Sequence, residues 1–148
     1  MMQKSKIEEI IAKDGVYVST ISGYSMSPML KDRRDTVVVS AFSGELKKYD
    51  VALYRVGEKY VLHRIIKVLE NEYIACGDNC VVLERVPKNT VIGKLTEVWR
   101  GDEKLDLDSK EYRAYCRRKV AGVYPRKAYR GTKKAIFSMA RKILKKRR

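Results

Sequence analysis

The chain has 148 residues, 45% hydrophobic and 34% charged, which is enough for one compact domain and too apolar for wholesale disorder. No apolar run approaches the ~20 residues of a membrane-spanning helix. Glu8 and Glu9 stand where a secretory signal would be apolar, and an odd number of cysteines, three, does not make a disulfide framework. These features predict a cytosolic chain. The formal net charge of +15 is lopsided: residues 110–148 hold 16 Lys and Arg against Glu111 alone, while residues 1–109 balance 17 bases with 17 acids. A neutral body with a basic tail suggests that the tail meets an anionic surface while the body does something else.

In chain order, Ile7, Ile10 and Ile11 at helical spacing predict a short amphipathic helix within residues 1–13, ended near Asp14-Gly15. From Val16 the pattern turns to β-branched and aromatic residues. It predicts strands at residues 16–21, 36–42, 51–56, 60–69, 72–76 and 90–99. Gly57-Glu58 reads as the hairpin turn between the third and fourth, and Asn71 as the turn into the fifth. Closely spaced strands without βαβ alternation predict a mainly antiparallel β body over residues 1–108. A helical extension follows over residues 109–148, in which Ser109 caps a helix running to Gly122, Pro125 breaks it, and a second helix runs over residues 126–148.

That second helix places Ile136, Phe137, Ala140, Ile143 and Leu144 on one stripe, flanked by Lys133, Lys134, Arg141, Lys142, Lys145 and Lys146. An apolar ribbon between lysines suits a helix lying in the headgroups of an anionic bilayer. Two other readings stand beside it: a helix packed on the β body, or phosphate contacts to nucleic acid. The last is disfavoured, because phosphate binding needs no apolar face.

The segment Ser22-Gly23-Tyr24-Ser25-Met26-Ser27-Pro28-Met29-Leu30 carries the strongest chemical signal. A glycine two places before a serine lets the backbone approach a ligand, a following Met can plug into the core, and Pro28 stiffens the exit. A serine hydroxyl needs a neighbouring base to become a nucleophile at neutral pH. The chain has one histidine, His63, so a Ser–His mechanism must use it. Strand alternation puts His63 on the face of Val61, Ile65 and Leu69, where an apolar setting favours the neutral ring. Gly77-Asp78-Asn79 follows the next strand, and Asp78 can point back to orient that ring, or simply form an Asx turn. Asp35 and Asp50 are alternative carboxylates. Cys76 and Cys80 beside His63 raise zinc, but no fourth ligand is evident and the spacing is unspecific. No metal or other cofactor is predicted.

Taken together and in order, these segments resemble the signal peptidase I and LexA-like serine peptidases. Gly23 to Leu30 resembles the G-x-S-M-x-P-x-L box, Tyr49-Asp50-Val51-Ala52-Leu53-Tyr54 the G-D-V-V-x-F strand, and Val61-Leu62-His63-Arg64-Ile65-Ile66 the strand of the general base. Cys76-Gly77-Asp78-Asn79 resembles the G-D-N turn and Val91-Ile92-Gly93-Lys94-Leu95 the closing V-I-G-K-V strand. The resemblance spans about residues 16–99. It implies Ser25 as nucleophile and His63 as general base, in the manner of the endoplasmic-reticulum and archaeal signal peptidases, with Asp78 as the third member. It also implies an oxyanion hole made by the Ser25 backbone N–H and Gly23.

The implied activity is that of a serine endopeptidase acting on a precursor or leader peptide, and the basic amphipathic end would hold it at the cytosolic membrane face. The substrate would add as an extended strand, with small side chains before the cut. Lys133, Lys134, Ile136, Phe137, Arg141, Ile143 and Leu144 would contact the membrane. A non-catalytic peptide-binding or membrane-associated module on the same fold is the alternative. Two departures limit the likeness: no membrane helix accompanies the boxes, and too few residues precede the first strand for a helix-turn-helix. Ala121-Gly122 matches a self-cleavage dipeptide, but it lies downstream of the nucleophile.

Overall fold

The computed structural model describes residues 6–146; the outer ends of the first and last expected helices lie outside the described residues. Helix α1 (Ile7–Asp14) precedes strands β1 (Val16–Thr20), β2 (Asp35–Ser40), β3 (Val51–Val56), β4 (Lys59–Val68), β5 (Glu72–Cys76), β6 (Glu84–Pro87), β7 (Val91–Arg100) and β8 (Glu103–Lys104). Helices α2 (Lys110–Ala121) and α3 (Val123–Lys146) follow. The fold is mainly β, an eight-stranded sheet in the order β1-β2-β7-β3-β4-β5-β6 with β8 beside β7. Every pairing is antiparallel. The sheet does not close into a barrel: β1 and β6 are its ends.

The six expected strands are present to within a residue or two, and β6 and β8 were not expected. Glu84-Arg85-Val86-Pro87 offers one β-branched residue, and Glu103-Lys104 offers none, so neither carries a strand pattern. Their pairing with β5 and β7 is a tertiary effect. Helix α1 ends as its sequence predicts, at Gly15 with φ +77°, whose N–H bonds to the Ile11 carbonyl at 2.9 Å. Ile11 is buried against Val39 and Leu53, which ties α1 across the sheet.

Ser109 caps α2 by accepting the Tyr112 N–H at 3.1 Å. The break that follows falls at Gly122, not at Pro125 as expected. Pro125 is the third residue of α3, where a backbone N–H has no intrahelical acceptor, so proline costs nothing there. Helix α2 is integral to the core. Cys116 and Val120 are buried, and Tyr112 and Tyr115 pack against the cluster of Met26, Met29, Leu30, Val37, Val51, Leu95 and Val98. Helix α3 is different: after Val123 and Arg126 its described side chains are exposed.

Candidate active site at Ser25 and His63

Ser25 lies in the loop between β1 and β2. Met26, Met29 and Leu30 are all buried, so three apolar plugs fix the loop and leave Ser25 half-buried between them and the exposed Tyr24. Gly23 has φ +99°, a conformation that glycine adopts without strain. Its N–H donates to Asp32 Oδ1 at 2.7 Å. That bond corrects one expectation: the Gly23 N–H closes the loop and is not free to serve an oxyanion. The Ser25 N–H makes no protein hydrogen bond among the described residues, so it remains the available donor.

Asp35 anchors the other end of the loop. It is fully buried and takes the Lys31 N–H at 3.0 Å, Arg34 Nε at 2.7 Å and both Nε and NH2 of Arg100 at 3.3 Å. Burial alone would raise its carboxyl, but the two guanidiniums outweigh it and hold the group well below the usual carboxylate range. Asp50 accepts the Lys47 N–H and pairs with Lys94 at 3.0 Å. Both alternative carboxylates are thus structural.

His63 is nearly buried on β4. Its Nδ1 lies 2.9 Å from Glu84 Oε2 and 3.2 Å from the Tyr54 hydroxyl, and Tyr54 itself donates to Glu84 Oε2. Burial, then the adjacent Glu84 carboxylate, pushes the Tyr54 phenol strongly up, so it stays protonated and acts as a donor. One carboxylate oxygen therefore gathers the Tyr54 O–H and the His63 Nδ1–H. In the neutral ring this leaves the lone pair on Nε2, the nitrogen a general base uses.

Nε2 and the Ser25 carbonyl both lie close to Gly77. A Cβ at Gly77 would stand 2.5 Å from the Ser25 carbonyl oxygen, 2.9 Å from Cys80 Sγ and 3.1 Å from His63 Nε2. One carbon atom would bridge the serine backbone and the imidazole. The turn after β5 holds this arrangement: the Asn79 N–H donates to the Ser25 carbonyl at 2.8 Å, and Asn79 Nδ2 donates to the Tyr24 carbonyl at 3.3 Å. Ser25 and His63 line one cavity of about 390 Å³. No direct hydrogen bond joins their side chains.

Asp78 is not the third member. Arg64 Nε donates to its Oδ1 and Arg64 Nη2 to its Oδ2, both at 2.8 Å, and the Tyr115 hydroxyl donates to Oδ2 at 2.9 Å. Strand alternation explains the correction, since Arg64 follows His63 on β4 and turns to the opposite face. Arg64 is fully buried. It also donates to the Tyr49 carbonyl at 2.9 Å and the Tyr112 hydroxyl at 3.2 Å, and lies over the rings of Tyr112 and Tyr115. Burial opposes its charge, but the two-pronged Asp78 outweighs burial and the net shift is upward.

Glu84 and Tyr54 were missed in the sequence. A signal existed: Glu84 is the only acid between Asp78 and Glu97. Its strand carried no pattern to place it beside His63.

In α3, Ile136, Phe137, Ile143 and Leu144 are 61%, 63%, 55% and 69% exposed, and Lys133, Lys134 and Arg141 are exposed beside them. The stripe does not pack on the β body, which removes that reading of it. Among the described residues no helix is long and apolar enough to cross a membrane, and no three His, Cys, Asp or Glu side chains gather as metal ligands. No protein-family model matches the chain, and no curated protein matches it either.

Proposed function

We propose that the chain is a serine endopeptidase of the signal-peptidase-like type, with Ser25 as nucleophile, His63 as general base and Glu84 as the carboxylate that orients the base. The observation that carries this reading is the placement of the imidazole: Nδ1 lies against Glu84, Nε2 lies beside Gly77 next to the Ser25 carbonyl, and both residues line one cavity. A further feature supports the resemblance: Tyr49 has φ +83°, a conformation natural to glycine, at the position where the G-D-V-V-x-F strand has Gly.

In the reaction, Ser25 Oγ attacks the carbonyl carbon of a peptide bond as His63 Nε2 takes the hydroxyl proton. The Ser25 N–H stabilises the tetrahedral oxyanion. The C–N bond breaks as that proton passes to the leaving amine. Water, deprotonated by His63, then hydrolyses the acyl ester and restores the serine hydroxyl. The exposed, lysine-flanked stripe of α3 supports work at an anionic surface on the cytosolic side of a membrane. A leader segment of a small precursor is the substrate this location suits.

The test is covalent labelling with a fluorophosphonate probe. Wild type is modified at Ser25, whereas Ser25→Ala is not modified and His63→Ala is modified far more slowly. Equal labelling of all three, or labelling of none, overturns the mechanism. Peptide binding without labelling identifies the non-catalytic module.

A further inference from the structure

We infer that Tyr54 is a positioning residue for the base: its buried hydroxyl fixes Glu84 and, with it, keeps the proton of the neutral His63 ring on Nδ1. The inference concerns the imidazole itself, and its bearing on catalysis rests on the peptidase reading.

His63 Nδ1, Glu84 Oε2 and the Tyr54 hydroxyl form a closed triangle: Nδ1 lies 2.9 Å from Oε2 and 3.2 Å from the hydroxyl, and the hydroxyl donates to the same Oε2. The phenol has one proton, and the carboxylate takes it. Toward Nδ1 the tyrosine oxygen then offers only lone pairs, as Glu84 does. A nitrogen lone pair facing two acceptors is repelled by both, so Nδ1 carries the hydrogen. Were the same hydroxyl to donate to Nδ1 instead, the ring proton would move to Nε2 and the base would be lost.

Glu84 depends on this anchor. It lies on the end strand β6, its side chain is 33% exposed, and among the described residues its carboxylate bonds only to Tyr54 and His63. A carboxylate held by the ring alone cannot orient that ring. Tyr54 supplies the fixed point: it is 1% exposed and packs with Ala52, Ile65, Tyr73 and Val86. Val86 stands two residues beyond Glu84, so strand alternation puts both on the face that Tyr54 covers. Ala52 pairs directly with His63 across β3 and β4. Beside that single methyl, the imidazole meets the Tyr54 ring edge to face, with centroids 6.2 Å apart. The resembled G-D-V-V-x-F strand has Phe at this position, so the hydroxyl belongs to this chain and is not implied by the resemblance.

The test uses the full chain, isotope-labelled at the histidine nitrogens, because one histidine gives one unambiguous pair of ring signals. In alkaline buffer, wild type is expected to show Nδ1 as the protonated nitrogen. Tyr54→Phe keeps the ring and deletes only the hydroxyl. It is expected to show a mixture of tautomers, and its Ser25 reacts with the fluorophosphonate roughly tenfold more slowly, the scale of one lost hydrogen bond. Tyr73→Phe is the control. Tyr73 lies in the same buried cluster, but its hydroxyl accepts the Leu46 N–H, so both readouts stay at wild-type values. Glu84→Ala frees the Tyr54 hydroxyl to donate to Nδ1 and moves the ring proton to Nε2. Glu84→Ala with Tyr54→Phe is therefore labelled no more slowly than Glu84→Ala alone, a result that independent structural losses do not give. An unchanged tautomer in Tyr54→Phe, a wild-type labelling rate in it, or losses that multiply in the double variant overturn the inference. If the probe modifies no protein, wild type included, the peptidase reading falls and the nitrogen spectrum alone decides the role of Tyr54.

Discussion

Arg64 grips both oxygens of Asp78 at 2.8 Å, one residue along β4 from a histidine that bonds instead to Glu84. Consecutive strand residues thus serve two carboxylates on opposite faces, and the two pairs have separable roles. One is a buried, fully paired ion pair. The other belongs to a histidine that lines a cavity with Ser25.

The pairing of His63 with Glu84 predicts that Glu84→Gln lowers the rate of Ser25 acylation by about 10²- to 10⁴-fold, because the ring loses its oriented tautomer and the stabilisation of its charged form. Stability should change little, since Glu84 is a third exposed. Labelling kinetics alongside urea unfolding separate the two effects. A wild-type labelling rate in this variant would remove Glu84 from the mechanism.

For Asp78 the expectation is reversed. Asp78→Ala leaves the Arg64 guanidinium buried without its carboxylate, a change that costs about 3–5 kcal/mol. Tyr115→Phe removes one hydrogen bond to the same oxygen and should cost about 1 kcal/mol. Urea midpoints of both variants provide the check, and a loss below 1 kcal/mol in Asp78→Ala would contradict the assignment.

Asp35 predicts an acid limit to stability. Its carboxyl is held below the ordinary value by Arg34 and Arg100 against the cost of burial. A group depressed in the folded state contributes fully above its unfolded value of about 4 and loses that contribution as pH falls below it. Unfolding free energy should therefore decline from pH 5 to pH 3. Asp35→Asn, less stable at neutral pH, should show a shallower decline, and parallel curves for the two proteins would refute the account.

The α3 stripe predicts binding to vesicles containing phosphatidylserine, weakened by salt. Phe137→Glu with Leu144→Glu places two acids in the apolar ribbon and should lower binding at least tenfold. Co-sedimentation gives the measurement. Unchanged vesicle binding in the double variant, or strong DNA binding by wild type, would reassign the tail.

The legible parts of the sequence were those where burial and local pattern agree. Val51 to Val56 and Tyr60 to Val68 are rich in β-branched and aromatic residues and form β3 and β4. The stripe of α3 is readable because period alone makes it. Ser25 and His63 were legible through their chemistry, one loop serine behind a glycine and one histidine in the chain. Glu84 was not, because its strand exists only through pairing with β5, and the Gly77-Asp78-Asn79 turn offered a nearer carboxylate. No spacing rule tells which face Asp78 takes once Arg64 competes for it.

The break at Gly122 divides the molecule electrically. Residues 123–148 hold 11 of the 15 net positive charges and no acid, leaving +4 for everything before them. A proteolytic nick at that junction would leave a far less repulsive remainder, and weakly charged proteins are the ones that self-associate near neutrality. The arm therefore carries most of the charge repulsion that would keep copies of the chain apart in solution.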